Sequence, residues 1–362
     1  MKNIKIASLA ACMTWMLSLI FFSACSNDDT ASASGSGSAP SIEYVAPSGY
    51  NTDGSLKPLT PTRVGDPKNY YVIHGKGLLT TTKVYFNDFD TYFRPTFVTD
   101  TDIIILLDEN TPYAAASNKL KVVTQKGTVL FDFVVKPPVP SFSQFYPINA
   151  TAGQEVTITG KYFLNPVVTL AKTKTLPEVP VTVVSSTLEK VVIKLPENAD
   201  LRYLSIANIS GATTSTYAVG TAIFDDVSYY GLDFPAWNNF KYLTDGKAEQ
   251  GTTYIEKEMD AWGSLQGNWG WFDKLAPYSG IRVAIKAKAD GKVRLVFNGD
   301  WSNSPVVSVT TEWKTFYLPW SMFSSSDRVQ NITFQNQTAT AKGDGLPNTF
   351  YIDNIGFMLK AE

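Results

Sequence analysis

Three of the six residues in Gly267-Asn268-Trp269-Gly270-Trp271-Phe272 are aromatic, and Trp262 stands just upstream. Large flat rings fill a core, or they form a platform for a ligand with a flat apolar face of its own. Trp237, Trp262, Trp269, Trp271, Trp301, Trp313 and Trp320 all lie in the last part of the chain, and the remaining tryptophan is Trp15. On a strand, Trp269 and Trp271 at i and i+2 share one face. Gly270 between them leaves room for a ligand or another chain. The stretch Asn298-Gly299-Asp300-Trp301-Ser302-Asn303 is a second concentration, a polar loop whose ring packing does not explain. Gln335, Asn336 and Gln337 follow an apolar run; their amides could donate and accept at one surface, or they are a polar turn.

Other chemistry is thinly provided for. The single histidine is His74, so a multi-histidine metal site is impossible. Any triad would have to use that residue. The cysteines are Cys12 and Cys25, so everything from residue 26 onward lacks a disulfide, a thiol nucleophile or a thiolate site. A net charge of -2 offers no basic surplus for nucleic acid.

The elements that must carry the rings read as all-β. Aromatics make up 13% of the chain, with many Thr, Ser, Gly and Pro residues between strand formers. Residues 1–24 have a basic start and an apolar run, the layout of a secretory signal. The junction Phe22-Ser23-Ala24-Cys25 resembles a bacterial lipobox, which implies that Cys25 is lipidated and anchors the chain to a membrane. Ser26-Asn27-Asp28-Asp29 resembles the surface-export signal of Bacteroidetes lipoproteins. The Ala, Ser and Gly run that follows reads as a flexible tether through residue 39.

The body contains a repeat. Pro40-Ser41-Ile42 and Pro140-Ser141-Phe142 open two segments. Each later shows one motif, Ile73-His74-Gly75-Lys76-Gly77-Leu78 and Ile158-Thr159-Gly160-Lys161-Tyr162-Phe163. Strands are expected over 83–86 and 167–170, then over 102–107 and 190–195. His74 takes the slot of Thr159 and reads as an ordinary strand residue. The pattern resembles immunoglobulin-like IPT/TIG domains, in which the glycine permits the turn after the second strand. The division is 40–137 and 138–222 for two such sandwiches, joined by a proline-rich linker, and 223–362 for a larger one.

In that last segment strands are expected over 281–287, 292–297, 306–309, 314–318, 329–334 and 349–357. Tyr278-Ser279-Gly280-Ile281, Glu312-Trp313-Lys314-Thr315-Phe316-Tyr317 and Phe350-Tyr351-Ile352-Asp353-Asn354-Ile355 resemble carbohydrate-binding-module jelly rolls. The whole chain resembles the surface glycan-binding lipoproteins of Bacteroidetes polysaccharide-utilisation loci. That resemblance implies tandem Ig-like sandwiches, a C-terminal glycan-binding jelly roll and an outer-membrane location on the cell surface. It also implies partnership with a TonB-dependent transporter and its SusD-like protein. Members often hold a structural calcium where the first and last strands meet, which would involve Asp225, Asp226 and Asp353.

An indole laid on the C–H face of a pyranose removes roughly 80–100 Å² of apolar surface from water, worth about 2 kcal/mol. The expected sugar-binding residues are Trp301, Trp269, Trp271, Trp262, Trp237 and Tyr278, with Asn298, Asp300 and Gln335 reading hydroxyls. Trp313 and Trp320 are expected to be core. The ligand expected is a β-glucan such as laminarin, mixed-linkage glucan or xyloglucan, bound without catalysis. A protein-binding adhesin is the alternative. A glycoside hydrolase, with Asp260 and Asp273 as its candidate carboxylates, is the second.

Overall fold

The computed structural model describes residues 38–323 and 328–361, and of Trp271 the backbone alone. Cys25, the signal segment and nearly all of the tether lie outside the described residues. The fold is all-β; the described helical turns are three short 3-10 segments. Among the described residues no helix is long and apolar enough to cross a membrane.

The expected strands are present with small shifts at their ends. They include Thr81–Phe86, Val167–Leu170, Asp102–Leu106 and Lys190–Lys194. In the last segment they are Tyr278–Ala287, Gly291–Phe297, Val306–Val309, Lys314–Pro319, Val329–Asn336 and Asn348–Leu359. Three apolar cores form. The first gathers residues between Val45 and Val135, the second between Phe145 and Ala222, the third between Ile223 and Phe357.

The repeat has a shared geometry. Ser41 faces Lys76 and Ile42 faces Gly75, with a bulge before Tyr44. Ser141 faces Lys161 and Phe142 faces Gly160, with the same bulge before Gln144. The bulge presses the opening strand onto its neighbour. A Cβ on Gly75 would stand 1.9 Å from the Ser41 carbonyl oxygen, and one on Gly160 2.0 Å from that of Ser141. The repeated glycine is therefore a close-approach residue inside the second strand, and the expectation that it makes a turn is corrected. His74 is a strand residue, stacked on Tyr44 with centroids 4.7 Å apart.

The two copies differ in continuity. The second is one sheet path of seven strands, in which Val179–Ser186 pairs with both Lys190–Lys194 and Val167–Leu170. The first is split into a three-stranded, a two-stranded and a four-stranded sheet.

The C-terminal sandwich has two layers. The back sheet has seven strands and centres on Asn348–Leu359, which pairs with Ala222–Asp225, Tyr254–Met259 and Tyr278–Ala287. The front sheet runs in the order Ser264–Phe272, Val329–Asn336, Gly291–Phe297, Val306–Val309. Between the layers Leu265, Leu295, Ile332 and Phe334 meet Ile281, Ile285, Phe350 and Ile352.

Candidate functional site

Alternation on the front sheet sends Leu265, Leu295, Ile332 and Phe334 inward, so their neighbours line the outer face. Ser264 pairs with Gln335, Gln266 with Thr333 and Asn268 with Asn331. Gln335 also pairs with Arg294 on its other side. The outer face thus carries amides and one guanidinium around a buried centre of Thr333 and Val296. Gln266 Nε2 donates to Asn268 Oδ1 at 2.9 Å, and Gln335 accepts from Gln337. The Arg294 Nε is enclosed with no partner.

Three tryptophans stand around this patch, and their rings reach solvent: Trp237 is 67% exposed, Trp262 49% and Trp301 45%. Trp237 sits in the turn Ala236–Asn238, which lies against the outer strand Ser264–Phe272. The Asn238 side chain fixes it there, donating to the Gln266 carbonyl at 3.0 Å and accepting from the Gln266 N–H at 2.9 Å. Trp262 enters the same strand from the Ser264 end. Its carbonyl accepts from Gln335 Nε2 at 3.2 Å. Its φ is +67°, a conformation a bulky side chain adopts only under constraint, costing on the order of 1–3 kcal/mol. Gly345 lies so close to the indole that a Cβ there would approach Nε1 within 2.8 Å. Trp301 caps the opposite end, in the loop after Gly291–Phe297.

Asn298 and Asp300 build that loop. Asn298 Nδ2 donates to the Arg328 carbonyl at 3.0 Å, and its Oδ1 accepts from the Gln330 N–H at 2.6 Å. Asp300 Oδ1 accepts from the Ser302 N–H at 3.0 Å. Both support Trp301 instead of presenting free groups. Of the expected residues, the structure brings together Trp237, Trp262, Trp301 and Gln335. The floor residues Gln266, Asn268, Asn331 and Arg294 were not anticipated, although Gln-x-Asn at 266–268 and Asn-x-Thr-x-Gln at 331–335 carry the strand alternation that marks them.

Trp269 and Tyr278 are 7% and 5% exposed and belong to the third core, which removes them from the ring platform. Trp269 shares the inward face of Leu265 and Gly267, and the strand becomes irregular only after it. Between Asn268 and Phe272 the register slips against Val329 and Asn331, and Gly270 has φ +72°. Trp269 lies four residues on from the inward Leu265, so plain alternation turns it inward, where it stacks on Phe272. Gly270 takes a left-handed conformation, and no described atom approaches a Cβ built on it within 4 Å. The side chain of Trp271 lies outside the described positions. Tyr278 stacks on Phe357 at 4.2 Å. Trp320 is core, as expected, its indole N–H donating to the Tyr278 carbonyl at 3.1 Å. Trp313 instead packs on the outer face of the back sheet: its N–H donates to the Lys247 carbonyl at 2.8 Å and Lys286 lies 4.7 Å from its ring centroid.

The acidic trio does not converge. Among the described residues no group of three or more His, Cys, Asp or Glu is placed to hold a metal ion. Asp225 Oδ2 accepts from the Ile148 N–H, and Asp353 Oδ2 from those of Glu249 and Gln250. Asp226 accepts from the Tyr146 hydroxyl and from the N–H groups of Thr252 and Thr253. Burial pushes Asp225 up to about 6 and Asp353 up to about 7. Buried Asp225 Oδ1 and Arg282 Nη2 each lack a hydrogen-bond partner, while Arg282 donates to Asn354, Thr221 and the Phe357 carbonyl. These residues lie at the junction between the second and third cores.

Asp260 and Asp273 lie beyond opposite ends of the strand Ser264–Phe272. The strand between them spans roughly 25 Å at about 3.3 Å per residue. Glycosidase carboxylates stand about 5–9.5 Å apart. This pair cannot flank one glycosidic bond.

No protein-family model matches the chain, and no curated protein matches it. Solved structures do. The surface glycan-binding protein PbSGBP-B from Prevotella bryantii aligns over 89% of this chain and 99% of its own, at 17% identity and a TM-score of 0.51. The chain shares that fold. SGBP-B from a complex xyloglucan utilization locus in Bacteroides uniformis aligns over 89% and 100%, at 15% identity and TM-score 0.36. A family 11 carbohydrate-binding module from Clostridium thermocellum, in complex with a β-1,3-1,4-mixed-linked tetrasaccharide, aligns over 36% of this chain and 86% of its own, at 14% identity and TM-score 0.25.

Proposed function

We propose that the chain is a non-catalytic surface glycan-binding protein whose C-terminal sandwich holds a polysaccharide on its front sheet. One observation carries the reading: Trp237, Trp262 and Trp301 hold exposed rings around a floor of Gln266, Asn268, Asn331, Gln335 and Arg294. Each ring can cover the C–H face of a pyranose, while amides donate to and accept from its hydroxyls. The three exposed rings are spaced along the sheet, so a chain can lie across them. A linear β-glucan, such as laminarin, mixed-linkage glucan or xyloglucan, presents flat rings to such a surface. The floor of amides beside the rings favours sugar over an adhesin's protein partner, which would call for aliphatic neighbours.

In this reading 40–137 and 138–222 are Ig-like spacers and 223–362 is the binding domain. Cys25 carries the outer-membrane lipid anchor at the cell surface. A TonB-dependent transporter with its SusD-like protein receives the captured glycan. These parts rest on the resemblance of the sequence.

The test is titration calorimetry of the mature chain against laminarin, barley β-glucan, xyloglucan, xylan and mannan, with product analysis of the same mixtures. Binding of one glucan, weakened in Trp301→Ala and without new reducing ends, is the expected result. No heat with any glycan would refute the reading, and new reducing ends would reveal an enzyme.

A further inference from the structure

The internal repeat supplies its own control. In the second Ig-like copy the strand Val179–Ser186 joins the two layers. The first copy lacks that strand. Its counterpart shrinks to Phe89–Asp90 and a single bridge between Val98 and Ile103. Between them, residues 91–97 swing away and end in the 3-10 turn Pro95–Phe97. The gap is a cleft of about 200 Å³.

Its lining is not that of a spacer. A solvated outer sheet face is ordinarily polar. Here Tyr70 and Leu106 form an exposed cross-strand pair beside Ile104. Tyr92 faces them from the loop with 78% of its surface exposed, and Phe97 is also exposed. Arg94 lies 5.8 Å from the Phe97 ring centroid, and Asp108 closes the far side. Arg94 forms no ion pair with any described carboxylate. A strong donor and an acceptor thus flank exposed rings.

We propose that this cleft is a second carbohydrate site, taking one pyranose unit from an end or branch of the same neutral polysaccharide. The proposal rests on the glycan-binding reading of the C-terminal sandwich. Size selects the occupant. A cavity of about 150 Å³ holds a benzene-sized molecule, so this cleft takes a single ring. It is too small for a folded partner's apolar face. The chemistry agrees: rings cover C–H groups, and Arg94 and Asp108 donate to and accept from hydroxyls. Two sites on one chain raise the apparent affinity for a long polymer by making the second contact intramolecular.

The experiment titrates the mature chain with the polysaccharide that binds best and with an oligosaccharide of it too short to span two sites. Three variants are compared: Tyr92→Ala with Phe97→Ala, Trp237→Ala with Trp301→Ala, and all four together. Both cleft residues are exposed, and circular dichroism checks folding. The cleft variant is expected to bind the polymer about tenfold more weakly or worse. The tryptophan variant should keep a weak binding that disappears when the four changes are combined. Polymer affinity unchanged in the cleft variant, with all binding lost in the tryptophan variant, would overturn the second site and leave the first intact. No binding by the unaltered chain would overturn both.

Discussion

Trp301, Trp262 and Trp237 are worth different things to the molecule from Trp269, although the sequence presents them as one set. An exposed ring on a built loop can be removed without touching the core. Trp301→Ala should leave the melting temperature within a degree or two and weaken glucan binding by about thirtyfold, the equivalent of about 2 kcal/mol per stacked ring. Calorimetric titration beside a thermal melt reads both. Trp269→Ala should do the reverse. Truncating a buried aromatic costs about 3–5 kcal/mol, and the third core should melt earlier. Its binding, measured well below the melt, should stay close to that of the unaltered chain. A large loss of affinity in a folded Trp269→Ala protein would return that ring to the binding face.

At the scale of elements, two features carry consequences. The first is the bulged strand pair that opens each Ig-like copy. Gly160→Ala places a methyl carbon 2.0 Å from the Ser141 carbonyl oxygen. The strands must part, at roughly 1–3 kcal/mol or more. Denaturant unfolding should show the second core weakened and glucan affinity unchanged. The second is the seam where Ala222–Asp225 meets Asn348–Leu359. Burial raises Asp225 to about 6 and Asp353 to about 7. Unfolded aspartates release their protons near 3.9, so between that value and about 7 the folded chain binds more protons than the unfolded one. Stability is greatest at the acid end of this window and falls as pH rises through it. The denaturation midpoint in a chelator should therefore drop from pH 5 to pH 8. Asp225→Asn, which keeps an acceptor for the Ile148 N–H, should flatten that slope. A large rise in midpoint on adding calcium would show that the carboxylates rearrange around a cation.

The whole molecule is three cores joined in two different ways. Between the second and third, Gln250 donates to the Phe145 carbonyl at 2.6 Å and accepts from the Tyr217 hydroxyl at 2.9 Å. Arg282 lies over the Tyr217 ring at 4.5 Å, and Asn149 exchanges two hydrogen bonds with Ala222. Breaking such buried polar contacts leaves unsatisfied groups on both sides. Between the first and second, Pro137 and Pro138 offer carbonyls to Ser210 and Asn208, and Tyr113 meets Tyr162 edge to face. Differential scanning calorimetry should therefore show the second and third cores melting together and the first separately. Removing residues 38–136 should delete one transition and leave the other in place. Three independent transitions would mean the buried seam does not couple its neighbours.

How much of this was legible in the chain follows from which forces act locally. Strands such as Val306–Val309 and Val167–Leu170 appear where alternation places them, because burial of one face is written at every second residue. The repeat was visible through Gly75 and Gly160, though its reason, a carbonyl pressing from another strand, was not. The all-β class and the aromatic-rich C-terminal sandwich are consequences of composition and period. Which rings face water is not. Trp269 follows Asn268 and Trp301 follows Asp300, yet one sits on the inward face of a paired strand while a polar loop holds the other out. The amide floor needed the pairing of three strands to become a surface. The acidic trio became a seam only when a second core was laid against it. Sequence by itself determined the strands, the repeat and the stock of rings, since these depend on neighbours along the chain. Tertiary structure alone decided the site, since exposure depends on which distant segments cover each ring.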